Sequence, residues 1–205
     1  MRTFAIGDIH GEINKLRSLI HKLQPKSCDT LIFLGDYIDR GPHSQLVVSF
    51  LCDLSTRTHC IFLKGNHEAL LEQAATSTKR LQVWLKNGGD ATLLSYGSME
   101  ALWSQHTHFF NDLQLYYETE AYIFVHAGIK PSIPMHRQHA SDLLWIRDEF
   151  LNQPTGLDKI IVHGHSRVAH VHIQPDKINI DTGAVYGGDL SAIELPSGHV
   201  INAGF

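Results

Sequence analysis

The chain has 205 residues, a length that suits one large domain with its own core better than two small ones. Apolar residues make up 43% and charged residues 19%, and the net charge is −4 with histidine neutral, so neither a disordered chain nor a basic nucleic-acid footprint is indicated. Cys28, Cys52 and Cys60 form no C-x-x-C pair, which argues against a disulfide framework or a structural zinc site. No apolar run approaches the roughly 20 residues of a membrane span. The short apolar stretch at the amino terminus is cut off by Asp8 and cannot serve as a signal segment, so a cytoplasmic setting is expected.

In chain order, Phe4-Ala5-Ile6 reads as a short strand. Ile13, Leu16, Leu19, Ile20 and Leu23 then recur at helical spacing, and Pro25 ends that helix. Leu31 to Leu34 reads as a second buried strand, Leu46, Val47, Phe50, Leu51 and Leu54 as the next helix, and Cys60 to Leu63 as a third strand. This β-α-β-α-β order predicts parallel strands with right-handed crossovers. Residues 68–115 read as a helical cover, with Asn87-Gly88-Gly89 as a helix stop, packed on the sheet where it helps to shape substrate access. From about 121 the pattern returns to strands: Tyr122 to Val125, Lys159 to Val162, Lys177 to Ile180, and a terminal hairpin of Leu190 to Leu195 with Gly198 to Asn202. No linker or composition break divides residues 1–205, so one domain is the simplest reading.

Three loops follow the first three strands: Gly7-Asp8-Ile9-His10-Gly11, Gly35-Asp36-Tyr37-Ile38-Asp39-Arg40-Gly41 and Gly65-Asn66-His67-Glu68. In a parallel sheet the loops at the carboxyl ends of the strands gather on one edge, where ligands bind. Asp8 and His10 are two apart on a chain leaving a strand, so both side chains can meet one cation. Asp36 leaves the next strand at the equivalent point, where its carboxylate could bridge two ions, and Asn66 offers an amide oxygen. Each alone has a bland reading as a turn hydrogen bond; their coincidence at three strand ends points to a two-metal hydrolase of phosphate esters. His126 ends a fourth strand. His163 and His165 share a fifth loop, and alternation would aim both to one side. Imidazole and carboxylate donors without thiolate suit manganese, iron or zinc.

These segments resemble the phosphoprotein phosphatase (PPP) family of calcineurin-like metallophosphoesterases, especially its short bacterial Ser/Thr protein phosphatases. The resemblance rests on GDIHG at 7–11, GDYIDRG at 35–41, GNHE at 65–68, HAG at 126–128, LWIR at 144–147, HGH at 163–165 and DTGAVYGG at 181–188, in the family's order along nearly the whole chain. It implies an α/β fold, an αββα sandwich of two mixed sheets flanked by helices, with a dimetal site at the carboxyl ends of the strands. It also implies two divalent ions, most suitably Mn2+, one held by Asp8, His10 and Asp36 and the other by Asp36, Asn66, His126 and His165. His163 is left to an orienting or structural role. By the same resemblance His67 and Asp39 are the catalytic pair, and Arg40 and Arg147 bind the substrate phosphate. Tyr186, in the Gly-rich turn, is a candidate for the pocket lining, with ordinary packing the equal alternative.

The implied chemistry is in-line attack on phosphorus by a metal-bridging hydroxide, the ions standing about 4 Å apart, with His67 protonating the leaving alkoxide. The two ions, two aspartates and hydroxide sum formally to about +1, and the two arginines raise this to about +3, which favours a monoester dianion over a diester. The expected activity is therefore a metal-dependent serine/threonine protein phosphatase acting on phosphorylated proteins or peptides. The alternative is a symmetric diadenosine tetraphosphate hydrolase, a group that tends to be longer and to carry tryptophan where this chain has Tyr186. An inactive metal-binding scaffold fits poorly, because every ligand and the acid are in place. Ser166 departs from the threonine usual after Gly-His but retains the hydroxyl. No nucleic acid, membrane or regulatory-subunit groove is expected, and residues 68–115 and 129–143 are expected to set the substrate.

Overall fold

Period-two alternation assigns each strand of the chain two different environments, and the computed structural model, which describes residues 1–204, realises them as three apolar layers. Phe4 and Ile6 on β1 (Thr3–Ile6) and Leu31 and Phe33 on β2 (Thr30–Phe33) face outward against helices. Ala5 and Ile32, the residues between them, face inward. On β3 (His59–Phe62) Ile61 faces inward in the same way. Strands β1, β2 and β3 are parallel, with Ala5, Ile32 and Ile61 in register, as the β-α-β-α-β order predicts.

The helices between them are α1 (Ile13–Leu23) and α2 (Ser44–Ser55). The first ends as read from the sequence, on a left-handed Gln24 directly before Pro25. The cover then follows as α3 (Asn66–Ala74), α4 (Thr78–Trp84), a π-type turn at Leu85–Gly89, α5 (Asp90–Tyr96) and α6 (Met99–Asn111). Gly88, at φ 103°, breaks the path between α4 and α5 where the Asn-Gly-Gly stop was read.

A second sheet is built from β4 (Tyr116–Glu118), β5 (Tyr122–Val125), β6 (Ile160–His163), β7 (His172–Ile173) and β8 (Lys177–Asn179) in the order β4-β5-β6-β8-β7. Its centre is parallel and its two edges antiparallel. The edge strands β4 and β7 were not among those read from the sequence. The chain returns to the first sheet through β9 (Leu190–Leu195) and β10 (His199–Ala203), the expected hairpin, giving the order β10-β9-β1-β2-β3.

Phe124, Val162 and Ile178 meet Ala5, Ile32, Ile61 and Ile193 in the layer between the sheets. On the far side Ile123, Val125 and Ile161 pack against Leu143 and Phe150, which belong to the short helices α7 (Ala140–Trp145) and α8 (Asp148–Leu151). The result is the helix–sheet–sheet–helix sandwich with two mixed sheets that the sequence motifs imply. Among the described residues no helix is long and apolar enough to cross a membrane.

Candidate active site

The strand order brings the carboxyl ends of β1, β2, β3, β5 and β6 to one edge, and each releases its chain there into a loop with a polar residue. Five of those residues lie in left-handed backbone: His10 (φ 46°), Asp36 (53°), Asp39 (72°), Arg40 (67°) and His165 (61°). Non-glycine residues adopt this region at a cost and persist in it where surrounding bonds hold them. Here the bonds run between loops. The amides of Ile9 and His10 donate to Asp36 O (3.1 and 2.8 Å), and the Gly11 amide to Tyr37 O (2.9 Å). Glu68, on the first turn of α3, is buried and accepts from the backbone amides of Asp36, Tyr37 and Gly65 at 2.9 Å each, joining the second loop to the third. Burial and the charge of Asp36 push the Glu68 carboxyl up to about 8, against the pull of the Tyr37 and Asp36 amides. The fifth loop joins the first through His165 N–H, which donates to both Asp8 oxygens (3.1 and 3.3 Å). Glycine at 164 is required there, because a Cβ would collide with Asp8 Oδ1.

Within this frame, atoms bearing lone pairs converge. His126 donates Nδ1–H to Leu34 O (2.8 Å), which leaves its Nε2 as an acceptor. That atom stands 2.9 Å from Asn66 Oδ1, 3.2 Å from His165 Nδ1 and 3.5 Å from Asp36 Oδ1. Asn66 Oδ1 is also 3.0 Å from His165 Nδ1. His10 is oriented the same way: Nδ1–H donates to Ile38 O (2.7 Å), and Nε2 faces Asp36 Oδ2 at 3.3 Å. His126 Nε2 and Asn66 Oδ1, two buried acceptors 2.9 Å apart, repel one another unless a cation or the His165 ring proton lies between them. The donor set fits divalent ions on this ground. Two groups have ligand atoms all within 4.8 Å of one another: His10, Asp36 and His67, and Asp36, His126 and His165. Asp36 is common to both. Asp8 lies outside the first tight group, where His67 stands instead, and lines the adjoining cavity beside Asp181.

The electrostatics set the two aspartates apart. Burial disfavours the Asp36 carboxylate, but the imidazoles of His126, His67 and His10 hold it well below the usual carboxylate range. Burial, with Asp181 and Asp36 close by, pushes Asp8 well above it. Burial also lowers His126 and His165, so both imidazoles give up readily the proton that metal coordination displaces. His163 belongs to neither group. It is buried with Nδ1 on Gly164 O (3.1 Å) and its ring edge-on to Phe150, and burial lowers it to about 3.

His67 and Asp39 come together as a pair. His67 Nδ1 donates to Asp39 Oδ2 at 2.7 Å, while His67 Nε2 is buried with no hydrogen-bond partner, 4.0 Å from Asp36 Oδ2. Asp39 also accepts from Trp84 Nε1 (2.9 and 3.1 Å) and from Thr92 Oγ1 (2.7 Å). Arg40 donates Nη1–H to His10 Nε2 at 2.6 Å. That atom has one lone pair, so this hydrogen bond and a cation on His10 exclude each other.

A cavity of about 380 Å³ opens beside these groups, lined among others by Asp8, His10, Arg40, Arg147, His165 and Tyr186. Both expected arginines and Tyr186 thus reach one wall. The expected specificity segments do not: no residue of 68–115 or 129–143 lines the cavity, and Arg167, Asp181 and residues 183–186 do. The cover acts one layer back. Trp84 and Thr92 hold Asp39, and Gly88 O accepts the Arg40 amide at 3.0 Å. Lys15, buried on α1, donates to Ala184 O (2.7 Å) and Gly188 O (2.8 Å) and so fixes the turn that presents Tyr186. Sequence reasoning did not single out Glu68, Trp84, Thr92, Lys15, Arg167 or Asp181. Only Glu68 and Asp181 carried a signal: Glu68 as the third helical residue after Gly65, a capping position, and Asp181 as one more acid directly after a strand.

Ligand-type atoms gathered together, in a cavity that Arg40 and Arg147 also line, are what hydrolysis of a phosphate ester requires. That defines the class: the protein is a phosphoesterase. The profile of the calcineurin-like phosphoesterases matches residues 1–193, and the chain belongs to that family. It is 33% identical to serine/threonine-protein phosphatase 2 of Escherichia coli K12, over 94% of this chain and 92% of the relative. It is 27% identical to the bis(5'-nucleosyl)-tetraphosphatase PrpE of Oceanobacillus iheyensis, over 96% and 89%, and that relative is named asymmetrical rather than symmetric. A crystal structure provisionally named a diadenosine tetraphosphatase superposes with a TM-score of 0.75 at 25% identity, covering all of this chain and 94% of that one.

Proposed function

We propose that the chain is a metal-dependent phosphomonoesterase that releases phosphate from phosphoserine and phosphothreonine in proteins or peptides, residues 1–205 acting as one catalytic domain. The observation that carries this reading is His67. Its Nδ1–H is committed to Asp39 and its Nε2 is unpartnered at the edge of the acceptor cluster. An imidazole so held is an acid for a leaving oxygen. A serine or threonine alkoxide needs that proton, whereas a phosphate leaving group, as in dinucleotide hydrolysis, does not.

Asp8, His10 and Asp36 would hold one divalent ion, and Asp36, Asn66, His126 and His165 the other, with manganese suited to such donors. Bound there, the pair would supply an activated water and polarise the phosphoryl oxygens. The chain's own residues do the rest. Arg147, which donates to no described residue, and Arg40, once released from His10, clamp the phosphoryl oxygens. Tyr186 lines the same cavity, and Asp39 keeps the His67 ring aimed. Three free thiols, Cys28, Cys52 and Cys60, fit a reducing cytoplasmic setting.

The name of the Escherichia coli relative supports the protein-phosphatase reading. A second reading, hydrolysis of a dinucleoside polyphosphate, is favoured by the PrpE relative and by the additional arginine on the cavity wall. Turnover by the manganese-loaded protein on a phosphoserine peptide and on diadenosine tetraphosphate, measured side by side, tests the choice. A peptide rate at background with rapid dinucleotide cleavage would overturn the first reading.

A further inference from the structure

The cavity wall carries more positive charge than one phosphoryl group calls for. Beside Arg40 and Arg147 it presents Arg167, two residues beyond His165. Arg167 is exposed, as is Tyr186, but contacts restrain its side chain. Its aliphatic stem lies across Gly183, where a Cβ would fall 2.6 Å from Arg167 Cδ and where the backbone is left-handed at φ 72°. Its guanidinium carbon lies over the Tyr186 ring, 4.8 Å from the centroid, and that of Arg40 lies over the same ring at 5.6 Å. A stem against glycine and a head on an aromatic ring restrict the rotamers that an exposed arginine otherwise samples. Yet Arg167 makes no hydrogen bond or ion pair with any described residue. Asp181, the acid on the same wall, directs its Oδ1 to the Gly183 amide (3.0 Å) instead. A positioned guanidinium with all its donors free, facing a cavity, is a receptor for an anion.

We propose that Arg167, with Tyr186 as its platform, forms a second anion subsite that takes a phosphoryl group adjoining the scissile one. The enzyme would then favour esters carrying two neighbouring phosphates over simple monoesters. The assignment rests on the phosphoesterase reading of the metal end of the cavity. The second phosphoryl has two possible sources, the next phosphate of a polyphosphate chain or a phosphate on the residue beside a phosphoserine.

The test is steady-state kinetics of the manganese-loaded full chain, wild type, Arg167→Ala and Arg167→Lys. The substrates are p-nitrophenyl phosphate, a singly phosphorylated serine peptide, the same peptide with an adjacent second phosphoserine, and diadenosine tetraphosphate. Losing a charge-assisted contact should lower kcat/KM of Arg167→Ala about tenfold or more, chiefly through KM, on a two-phosphate substrate. Rates on the two single-phosphate substrates should stay within about twofold, and Arg167→Lys should recover part of the loss. Loss on the doubly phosphorylated peptide or on the dinucleotide identifies the source. Equal loss on all four substrates, or on none, overturns the subsite. A wild-type chain inactive on all four overturns the phosphoesterase reading with it, whereas an active wild type with an indifferent Arg167→Ala overturns the subsite alone.

Discussion

Asp39 should act on catalysis only through His67, and a double-mutant cycle measures that directly. Three donors point at the Asp39 carboxylate: His67 Nδ1 at 2.7 Å, Trp84 Nε1 at 2.9 Å and Thr92 Oγ1 at 2.7 Å. An asparagine there keeps the shape but has one acceptor oxygen and an amide group facing a donor. The His67 contact would lose its charge assistance, worth about 1.5–3 kcal/mol, which is about 10- to 150-fold in kcat. Removing the acid itself with His67→Asn should cost about 10²–10⁴-fold on a phosphoserine peptide. If Asp39 works only by aiming and charging that ring, the double variant should be no slower than His67→Asn within about threefold, because the two act as one unit. The substrate sharpens the test. Nitrophenolate leaves without a proton at neutral pH, so on p-nitrophenyl phosphate His67→Asn should lose much less than on the peptide. Manganese content and melting temperature, measured for each variant, separate catalysis from folding. Multiplicative losses in the double variant, or equal losses on both substrates, would refute the pairing.

Above about pH 8, where the Glu68 carboxyl is ionised, Glu68→Gln should cost about 1–3 kcal/mol of stability in chemical denaturation, because the new amide would face backbone N–H donors of Asp36, Tyr37 or Gly65 and leave at least one unpaired. Asp29 is buried, which alone would raise its carboxyl, but the Arg2 guanidinium and the Lys26 and Arg2 amides hold it well below the usual range. That stability is therefore present above about pH 4 and is lost as pH falls through the depressed folded value. Asp29→Asn should remove about 1–2 kcal/mol at pH 7, a figure reduced because Arg2 is partly exposed, and should flatten the acid limb of a pH–stability curve; an unchanged limb would refute the assignment. Manganese should raise the melting temperature of the wild type in calorimetry, and Asp36→Asn, which takes a charge from both acceptor groups, should abolish the rise. Lys15→Met should lower kcat/KM more than it lowers stability, since it frees the turn carrying Tyr186 from α1, and equal rates in the two proteins would count against that role.

The fold was legible wherever an element is buried on a regular period. Phe4 to Ile6, Leu31 to Phe33 and Ile123 to Val125 alternate between two apolar layers, and each was readable as a strand from its apolar run alone. The edge strands Tyr116–Glu118 and His172–Ile173 were not, because they are short, half-exposed or exposed, and defined by a single neighbour. The loops with Asp8, His10, Asp36, Asn66 and His67 were readable because polar residues of ligand type sit at a fixed offset from a strand end. Trp84 and Thr92, by contrast, meet Asp39 across 45 and 53 residues, and that meeting depends on how the cover folds back over the second loop. No local pattern encodes it. Arg167 is a surface arginine in sequence and becomes distinctive only when Gly183 and Tyr186 arrive beneath it.

The left-handed residues explain why this site needs so much second-layer bonding. His10, Asp36, Asp39, Arg40 and His165 each sit in a backbone region that disfavours side chains, at about 1–3 kcal/mol apiece in general and less for aspartate and histidine. A chain free to relax would rotate these loops and spread the acceptors, which also repel one another. Two things oppose that. The amide bonds to Asp36 O, Tyr37 O and the Glu68 carboxylate tie three loops into one unit without any ion. The His165 amide on Asp8 and the His126 ring on Leu34 O then tie that unit to the second sheet. The ligand atoms are thus held together without an ion, so a cation would meet a site that needs little backbone rearrangement, and on His10 it would displace Arg40. Displacing Arg40 would be productive, because Arg40 lines the cavity in which we propose that the phosphoryl group docks. An ion held by His10 would take the lone pair that Arg40 now uses, so a single arginine would link metal loading to substrate binding.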